Sequence, residues 1–113
     1  MPEVTIIGVQ EQFMIKGSQL LMTCQYNALP AVSEVQWKKD FTMVARNESV
    51  EINDSRLTIP HYNQSRIQLS INATTPPDTG NYTCLAINDV GNSSDTKSII
   101  IQGTCLQFPL AIN

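Results

Sequence analysis

The sequence has few positive charges and no long apolar run. Its seven Lys and Arg residues are outnumbered by ten Asp and Glu residues, which gives a net charge of −3. Nucleic-acid-binding proteins concentrate positive charge in a patch or stripe, whereas here only Lys38 and Lys39 are adjacent. No apolar run approaches the roughly 20 residues that a membrane-spanning helix requires. We therefore predict no nucleic-acid partner, and attachment to a membrane only through a tether outside this sequence.

Residues that carry catalytic or metal chemistry are also scarce. Histidine occurs once, as His61, with no cysteine or second histidine at the spacing of zinc ligands. The sequence has no glycine-rich phosphate loop and no Gly-x-Ser-x-Gly segment. Its acidic residues are too dispersed for a calcium loop of the EF-hand type. These absences predict that the protein is not an enzyme and has no metal, cofactor or small-molecule substrate.

Asparagine is abundant in one particular pattern. Six of the nine asparagines begin an N-x-[ST] triplet without proline, several times more than the frequency of Ser and Thr would give by chance. The six candidate N-glycosylation sites are Asn47, Asn53, Asn63, Asn72, Asn81 and Asn92. Their excess predicts passage through the secretory pathway and an extracellular location, either at the cell surface or secreted.

Apolar and polar residues alternate along much of the chain, and no segment keeps a helical period. The clearest alternating runs are residues 20–25, 35–38, 67–72 and 82–87, and further strands are predicted at 4–7, 13–15, 56–59 and 97–101, with a short edge strand at 41–44. Turn-forming residues separate these runs. Seven to nine short strands in about 100 residues predict an all-β protein with a two-sheet antiparallel β-sandwich. We assign residues 1–102 to this domain and 103–113 to a linker, the start of a next domain or an expression tail.

The three cysteines fall into two groups. Cys24 and Cys84 are 60 positions apart at inward positions of two predicted strands, and Trp37 is also inward. A disulfide between the two would join the sheets, with the indole packed on the sulfurs. Two free buried thiols are the alternative, but the glycosylation triplets point to an oxidising compartment. Cys105 is left over, which suggests a bridge to another chain or to a cysteine outside this sequence.

The segment DTGNYTC, residues 78–84, combines four constrained residue types. Tyr82 has the same parity as Cys84, so both face the core, and its hydroxyl can bond to upstream backbone. Gly80 would permit a turn that a side chain would hinder. Asp78 can cap that turn and pair with Arg56, which opens a strand at the same end of the sandwich. We predict structural roles for these residues.

Together these residues resemble the immunoglobulin superfamily. The resemblance covers about residues 4–102 and consists of Cys24, Trp37, Leu69-x-Ile71, the Asp-x-Gly-x-Tyr-x-Cys motif of 78–84 and the Cys-x-Ala-x-Asn-x-x-Gly motif of 84–91. The last motif is similar to the intermediate (I-set) subgroup, in which the Asn and Gly shape the hairpin between strands F and G. Residues 56–59 are similar to strand D of variable-type domains, which implies an Arg56–Asp78 salt bridge. The final strand lacks the Gly-x-Gly bulge of rearranging antigen receptors, so the I-set and a V-like variant both stay open.

The resemblance implies one exposed face made by strands A, B, E and D and another made by strands G, F, C and C′. Outward positions on the first face are mostly polar. On the second, alternation places Leu85 and Ile87 outward, and at least one of the three isoleucines at 99–101 must also face outward. An exposed apolar patch often marks an interaction site. We predict that a protein partner, which could be a second copy of the chain, binds this second face through Leu85, Ile87, Gln36, Lys38, Phe41 and Met43.

Two functional classes fit these expectations. The first is an extracellular protein-recognition module of a cell-surface adhesion or immune-type receptor. The second is a structural spacer in an extracellular array of such domains. The fold by itself does not choose between them, because one fold serves many functions.

Overall fold

The structure is a computed structural model that describes residues 3–7 and 13–103. Over these residues ten strands and one short 3-10 turn, Pro76–Asp78, follow one another along the chain. The strands are β1 Glu3–Ile7, β2 Phe13–Ile15, β3 Leu20–Asn27, β4 Glu34–Lys39, β5 Thr42–Arg46, β6 Ser49–Val50, β7 Leu57–Thr58, β8 Arg66–Ile71, β9 Gly80–Ile87 and β10 Asn92–Gln102. Of the predicted tail, residues 103–113, all but Gly103 lie outside the described residues, Cys105 included.

The strands form two sheets. One has the order β1-β3-β8-β7, and the other has the order β2-β10-β9-β4-β5-β6. All neighbours are antiparallel except β2 and β10, which run parallel. The predicted two-sheet β-sandwich is therefore confirmed. We call the outer surface of β10, β9, β4 and β5 the G-F-C-C′ face, and the outer surface of the four-stranded sheet the A-B-E-D face.

The core between the sheets is built around the predicted disulfide. Cys24 of β3 and Cys84 of β9 are bonded, and neither residue is exposed to solvent. Trp37 lies directly opposite Cys84 in the pairing of β4 with β9 and is fully buried. Leu20, Met22, Ile67, Leu69 and Ile71 fill the core from the other sheet. Each of these residues occupies one parity of its strand, because side chains alternate between the two faces of a sheet.

The predicted edge strand at 41–44 is corrected by the structure. β5 starts one residue later and runs to Arg46, and β6 pairs with it on the outside, so β5 is not an edge. The turns on either side use Asp40 and Asn47, whose φ angles are 55° and 52°. Asn and Asp tolerate this left-handed conformation better than most residues. β6 has only two residues, which is too short to produce an alternation pattern in the sequence.

The two ends of the domain lie at opposite poles. Glu3 pairs with Asn27 at the end of β3, whereas the last strand ends near the start of β3. There the Lys16 amide donates a 2.9 Å hydrogen bond to the Gln102 carbonyl. None of the described residues belongs to a helix long and apolar enough to cross a membrane.

Candidate functional site

One pole of the sandwich is fixed by an ion pair next to the start of β9. Arg56 donates to both carboxylate oxygens of Asp78, at 2.8 and 3.1 Å. It also donates to both oxygens of Asp54, at 3.1 and 2.8 Å. Burial raises the pKa of Asp78, but hydrogen bonds from Arg56 and from the backbone and hydroxyl of Thr75 outweigh it, so the net pKa lies below its usual range. The guanidinium thus ties the loop before β7 to the turn before β9.

Tyr82 secures the same turn from the core side. Its hydroxyl donates a hydrogen bond to the carbonyl of Asp78, four residues upstream, and its ring is almost completely buried. Burial is the main cause of the raised pKa of this phenol. The polar end of the ring therefore satisfies a backbone carbonyl, while its apolar body fills the core.

Replacing Tyr82 with phenylalanine is expected to lower the free energy of unfolding by about 1–2 kcal/mol. The ring would still fill its place, but a buried carbonyl would lose its partner, and such a loss costs about that amount. Urea denaturation at neutral pH measures the change. Tyr26→Phe is not a neutral control, since its hydroxyl donates to the Asn63 carbonyl at 2.5 Å. An unchanged midpoint for Tyr82→Phe would show that the corner contributes nothing to stability.

Gly80 has a different role from the predicted one. It is the first residue of β9 and does not have a positive φ angle, so it does not form the turn. A Cβ atom there would lie 3.1 Å from Asp40 Oδ2 and from Lys39 Cε. The glycine instead allows β9 to pass close to the end of β4, where Asp40 accepts a hydrogen bond from the Asn81 amide at 3.1 Å.

Strand register defines rows of outward residues on the G-F-C-C′ face. The rows are Asn92, Ile87 and Glu34; Ser94, Leu85, Gln36 and Arg46; and Thr96, Thr83, Lys38 and Met43. Leu85 and Ile87 are half-buried by their neighbours. Around them the side chains bond to one another: the Gln36 amide donates to Glu34 at 2.6 Å, and the hydroxyls of Thr83 and Thr96 lie 2.8 Å apart. The face has a small apolar centre inside a polar border.

Two predicted parts of this patch lie elsewhere. Phe41 is fully exposed, but it sits in the turn between β4 and β5 and not on the strand. Ile99 and Ile101 face the core, and the outward Ile100 pairs with Phe13 of β2, six positions along β10 from Ser94. At about 3.4 Å per residue this separation is about 20 Å. The patch around Leu85 is therefore smaller than predicted.

The six glycosylation triplets are spread unevenly. Asn81 and Asn92 are exposed on the G-F-C-C′ face, and Asn72 is exposed just after β8 of the other sheet. Asn53 and Asn63 are exposed in loops. Asn47 is half-buried in the β5–β6 turn, where its Oδ1 accepts a 2.9 Å hydrogen bond from the Val35 amide.

A family model described as an immunoglobulin domain matches residues 2–88, more than half of the chain. The chain belongs to the immunoglobulin domain family. Mouse myotilin is 30% identical over 86 residues, and the growth factor receptor kita of Danio rerio is 30% identical over 93 residues. These matches cover 76% and 82% of this chain but only 16% and 9% of the two relatives. This immunoglobulin domain therefore corresponds to a small part of each.

Solved structures agree with the fold. One chain in the crystal structure of the Dpr1 immunoglobulin domain bound to that of DIP-eta has a TM-score of 0.74 to this chain. The two are 19% identical, and the match covers 90% of this chain and 96% of the other. At that identity the likeness establishes the architecture alone.

Asn88 shapes the turn between β9 and β10, as the resemblance implied, but its bond to Pro30 and the bond made by Asp95 were not expected from the sequence. Asn88 accepts hydrogen bonds from the amides of Val90 and Gly91, both at 3.0 Å, and donates to the Pro30 carbonyl at 2.8 Å. It thereby joins the turn between β9 and β10 to the loop after β3. Asp95 accepts a 2.7 Å hydrogen bond from the Ile6 amide and so links the edges of the two sheets. An acid within a Ser- and Thr-rich strand was the available signal for Asp95.

Proposed function

We propose that this immunoglobulin domain is an extracellular protein-recognition module of a cell-surface adhesion or immune-type receptor. Its G-F-C-C′ face binds another protein, and a second copy of the chain is one candidate. The domain works without catalysis, by presenting a fixed surface on a rigid sandwich. Stable interfaces combine an apolar centre with a polar border, and the rows around Leu85 have this composition.

The extracellular location rests on two observations. Six glycosylation triplets in 113 residues suit a chain that passes through the secretory pathway. The buried Cys24–Cys84 disulfide suits an oxidising compartment, because disulfides are rare where glutathione keeps thiols reduced.

The relatives support binding of a protein partner. The kita relative is by name a growth factor receptor, and the Dpr1 domain was solved bound to another immunoglobulin domain. Those properties belong to the named proteins. They favour a protein ligand for this chain over a small molecule.

The test is Leu85→Glu compared with Leu21→Glu. Leu85 lies between Ser94 and Gln36 on the G-F-C-C′ face, and Leu21 lies opposite Ser70 on the A-B-E-D face with 40% of its surface exposed. Both variants should keep the fold, because neither side chain is in the core. We expect Leu85→Glu alone to lose binding, since a charge would be desolvated at the centre of the interface.

Binding is measured by sedimentation equilibrium for self-association and with a tetrameric form of the domain on a panel of cell-surface proteins. Equal binding by wild type and Leu85→Glu would refute the assignment of the face. Loss of binding in both variants would point to misfolding, which a shift in the urea midpoint would reveal.

A structural spacer is the second candidate function. Glu3 and Gln102 lie at opposite poles, so domains joined through their ends would form an extended string. Mouse myotilin, the other relative described above, is not named as a receptor, so the relatives are compatible with this class too. A domain that is strictly monomeric and binds nothing on the panel would favour the spacer.

A further inference from the structure

We propose that N-linked glycans on Asn81 and Asn92 stand at the two ends of the G-F-C-C′ face and limit the area that a partner can contact. The proposal rests on the extracellular location proposed above. It deepens that function by defining which part of the face remains open.

Asn81 occupies one end of the face. It is the second residue of β9, it is exposed, and it has the same parity as the outward Thr83 and Leu85. Its backbone is held in place, because its amide donates to Asp40 Oδ1 and its carbonyl accepts from the Asp40 amide at 2.7 Å. The opposite residue on β10 is the small Ser98. A fixed backbone and an open side chain give a glycan here a defined direction away from the sheet.

Asn92 occupies the other end. It is the first residue of β10, it is exposed, and it pairs with Ile87. Ser94, the third residue of its triplet, has the same outward parity and lies beside Leu85. A glycan on Asn92 would therefore rise from the row that contains Ile87, at the border of the apolar centre.

The triplets at Asn47 and Asn63 differ from these two. The Asn63 Oδ1 accepts from the amides of Ser65 and Arg66, at 2.8 and 3.0 Å, so it shapes its own loop. Asn47 is half-buried, and its Oδ1 is directed to the Val35 amide. Both side chains are turned toward the protein, whereas those of Asn81 and Asn92 extend from a flat strand surface.

The spacing of the two sites sets the size of the open area. Asn92 lies opposite Ile87, and Ile87 is six positions from Asn81 on β9. At 3.4 Å per residue, the two glycosylation sites are therefore about 20 Å apart along the strands. Four strands at about 4.8 Å each span about 19 Å in the other direction. The product is about 400 Å², half of the roughly 800 Å² that each partner contributes to a standard interface. One glycosylated domain should therefore bind weakly, as adhesion contacts that act in large numbers do.

The first experiment measures occupancy. The full chain is secreted from cultured animal cells behind a leader peptide, and its glycans are removed by peptide N-glycosidase in heavy-oxygen water. The enzyme converts each glycosylated Asn to a labelled Asp, which peptide mass mapping locates. We expect label at both Asn81 and Asn92. Label at Asn53 or Asn72 without label at either face site would overturn the inference and leave the extracellular proposal standing. Label at no site would overturn the inference and also remove the glycosylation argument for that location.

The second experiment measures shielding. Lys38 lies in the same row as Thr83, next to Asn81, whereas Lys16 is exposed near the opposite edge of the sheet. A bulky amine-reactive reagent should label Lys38 more in Asn81→Gln than in wild type, with Lys16 as the internal reference. Thr83→Ala removes the same triplet while keeping Asn81, so it should give the same increase if the fold is intact. Asn72→Gln, on the other sheet, should leave the ratio unchanged. A constant Lys38 to Lys16 ratio in all variants would overturn the shielding. The Leu85→Glu binding test is independent of these labelling experiments, and its outcome bears on the proposed function alone.

Discussion

Replacing Cys24 and Cys84 together with alanine is expected to lower the free energy of unfolding by about 4 kcal/mol. The bond closes a loop across 60 positions, and a cross-link of that length adds about 4 kcal/mol to the free energy of unfolding because it restricts the unfolded chain. A domain of this size is stable by only about 5–15 kcal/mol. The loss would therefore bring the domain close to unfolding at body temperature.

The measurement is urea denaturation followed by the fluorescence of Trp37, the single tryptophan, which is fully buried beside Cys84. Reductant supplies the matched control. It should destabilise the wild type by a similar amount and leave the double alanine variant unchanged. A double variant within about 1 kcal/mol of wild type would show that packing alone holds the two sheets together, contrary to the entropic argument.

Replacing Asp78 with alanine is expected to lower the free energy of unfolding by about 3 kcal/mol at neutral pH. The carboxylate accepts two hydrogen bonds from Arg56 and one at 2.8 Å from the Thr75 amide, and it is 9% exposed. Removing one member of a buried pair costs about 3–5 kcal/mol, and this pair is partly buried, with the Arg56 side chain 29% exposed. We take the lower end because Asp54 would still neutralise the guanidinium.

The effect should depend on pH in a defined direction. The folded-state pKa of Asp78 is lowered, so its contribution is fully present above the ordinary carboxyl pKa of about 4 and is lost as pH falls through the folded value. The difference in free energy of unfolding between wild type and Asp78→Ala should therefore be largest near pH 7 and become smaller below about pH 4.

Asp54→Ala is the control for the Asp78 variant. Asp54 also pairs with Arg56, and hydrogen bonding to that guanidinium lowers its pKa, but it lies in a more open position. We expect a smaller loss, because exposed pairs contribute about 0–1 kcal/mol. Equal losses from both variants, or a gap for Asp78→Ala that does not change with pH, would contradict the assigned role of Asp78.

Much of the sandwich could be predicted because its information is local. The parity of Cys24, Trp37 and Cys84 within short alternating runs gave the core, the disulfide and the pairing of the two sheets. The first half of β10 could not be read this way, because residues 92–98 are almost all Ser, Thr, Asp and Asn on both faces. Its place in the sheet depends on pairing with β9, which is a non-local property.

The G-F-C-C′ face was predicted in outline and not in detail. Parity correctly placed Leu85 and Ile87 outward, but the rows across the face depend on the register of four strands. In that register Ile100 lies beside β2, and the residue of β10 that lies opposite Leu85 is Ser94. Phe41 left the strand because Asp40 adopts a left-handed turn, which no alternation pattern encodes.

The parallel pairing of β2 with β10 determines how the domain would respond to tension. Once β1 has separated from β3, a pull on the two ends of the domain draws β2 toward its amino end and β10 toward its carboxyl end, so these two strands are loaded in shear along their shared axis. Their hydrogen bonds would have to rupture together and could not open one after another. Such a geometry suits a domain that carries mechanical load.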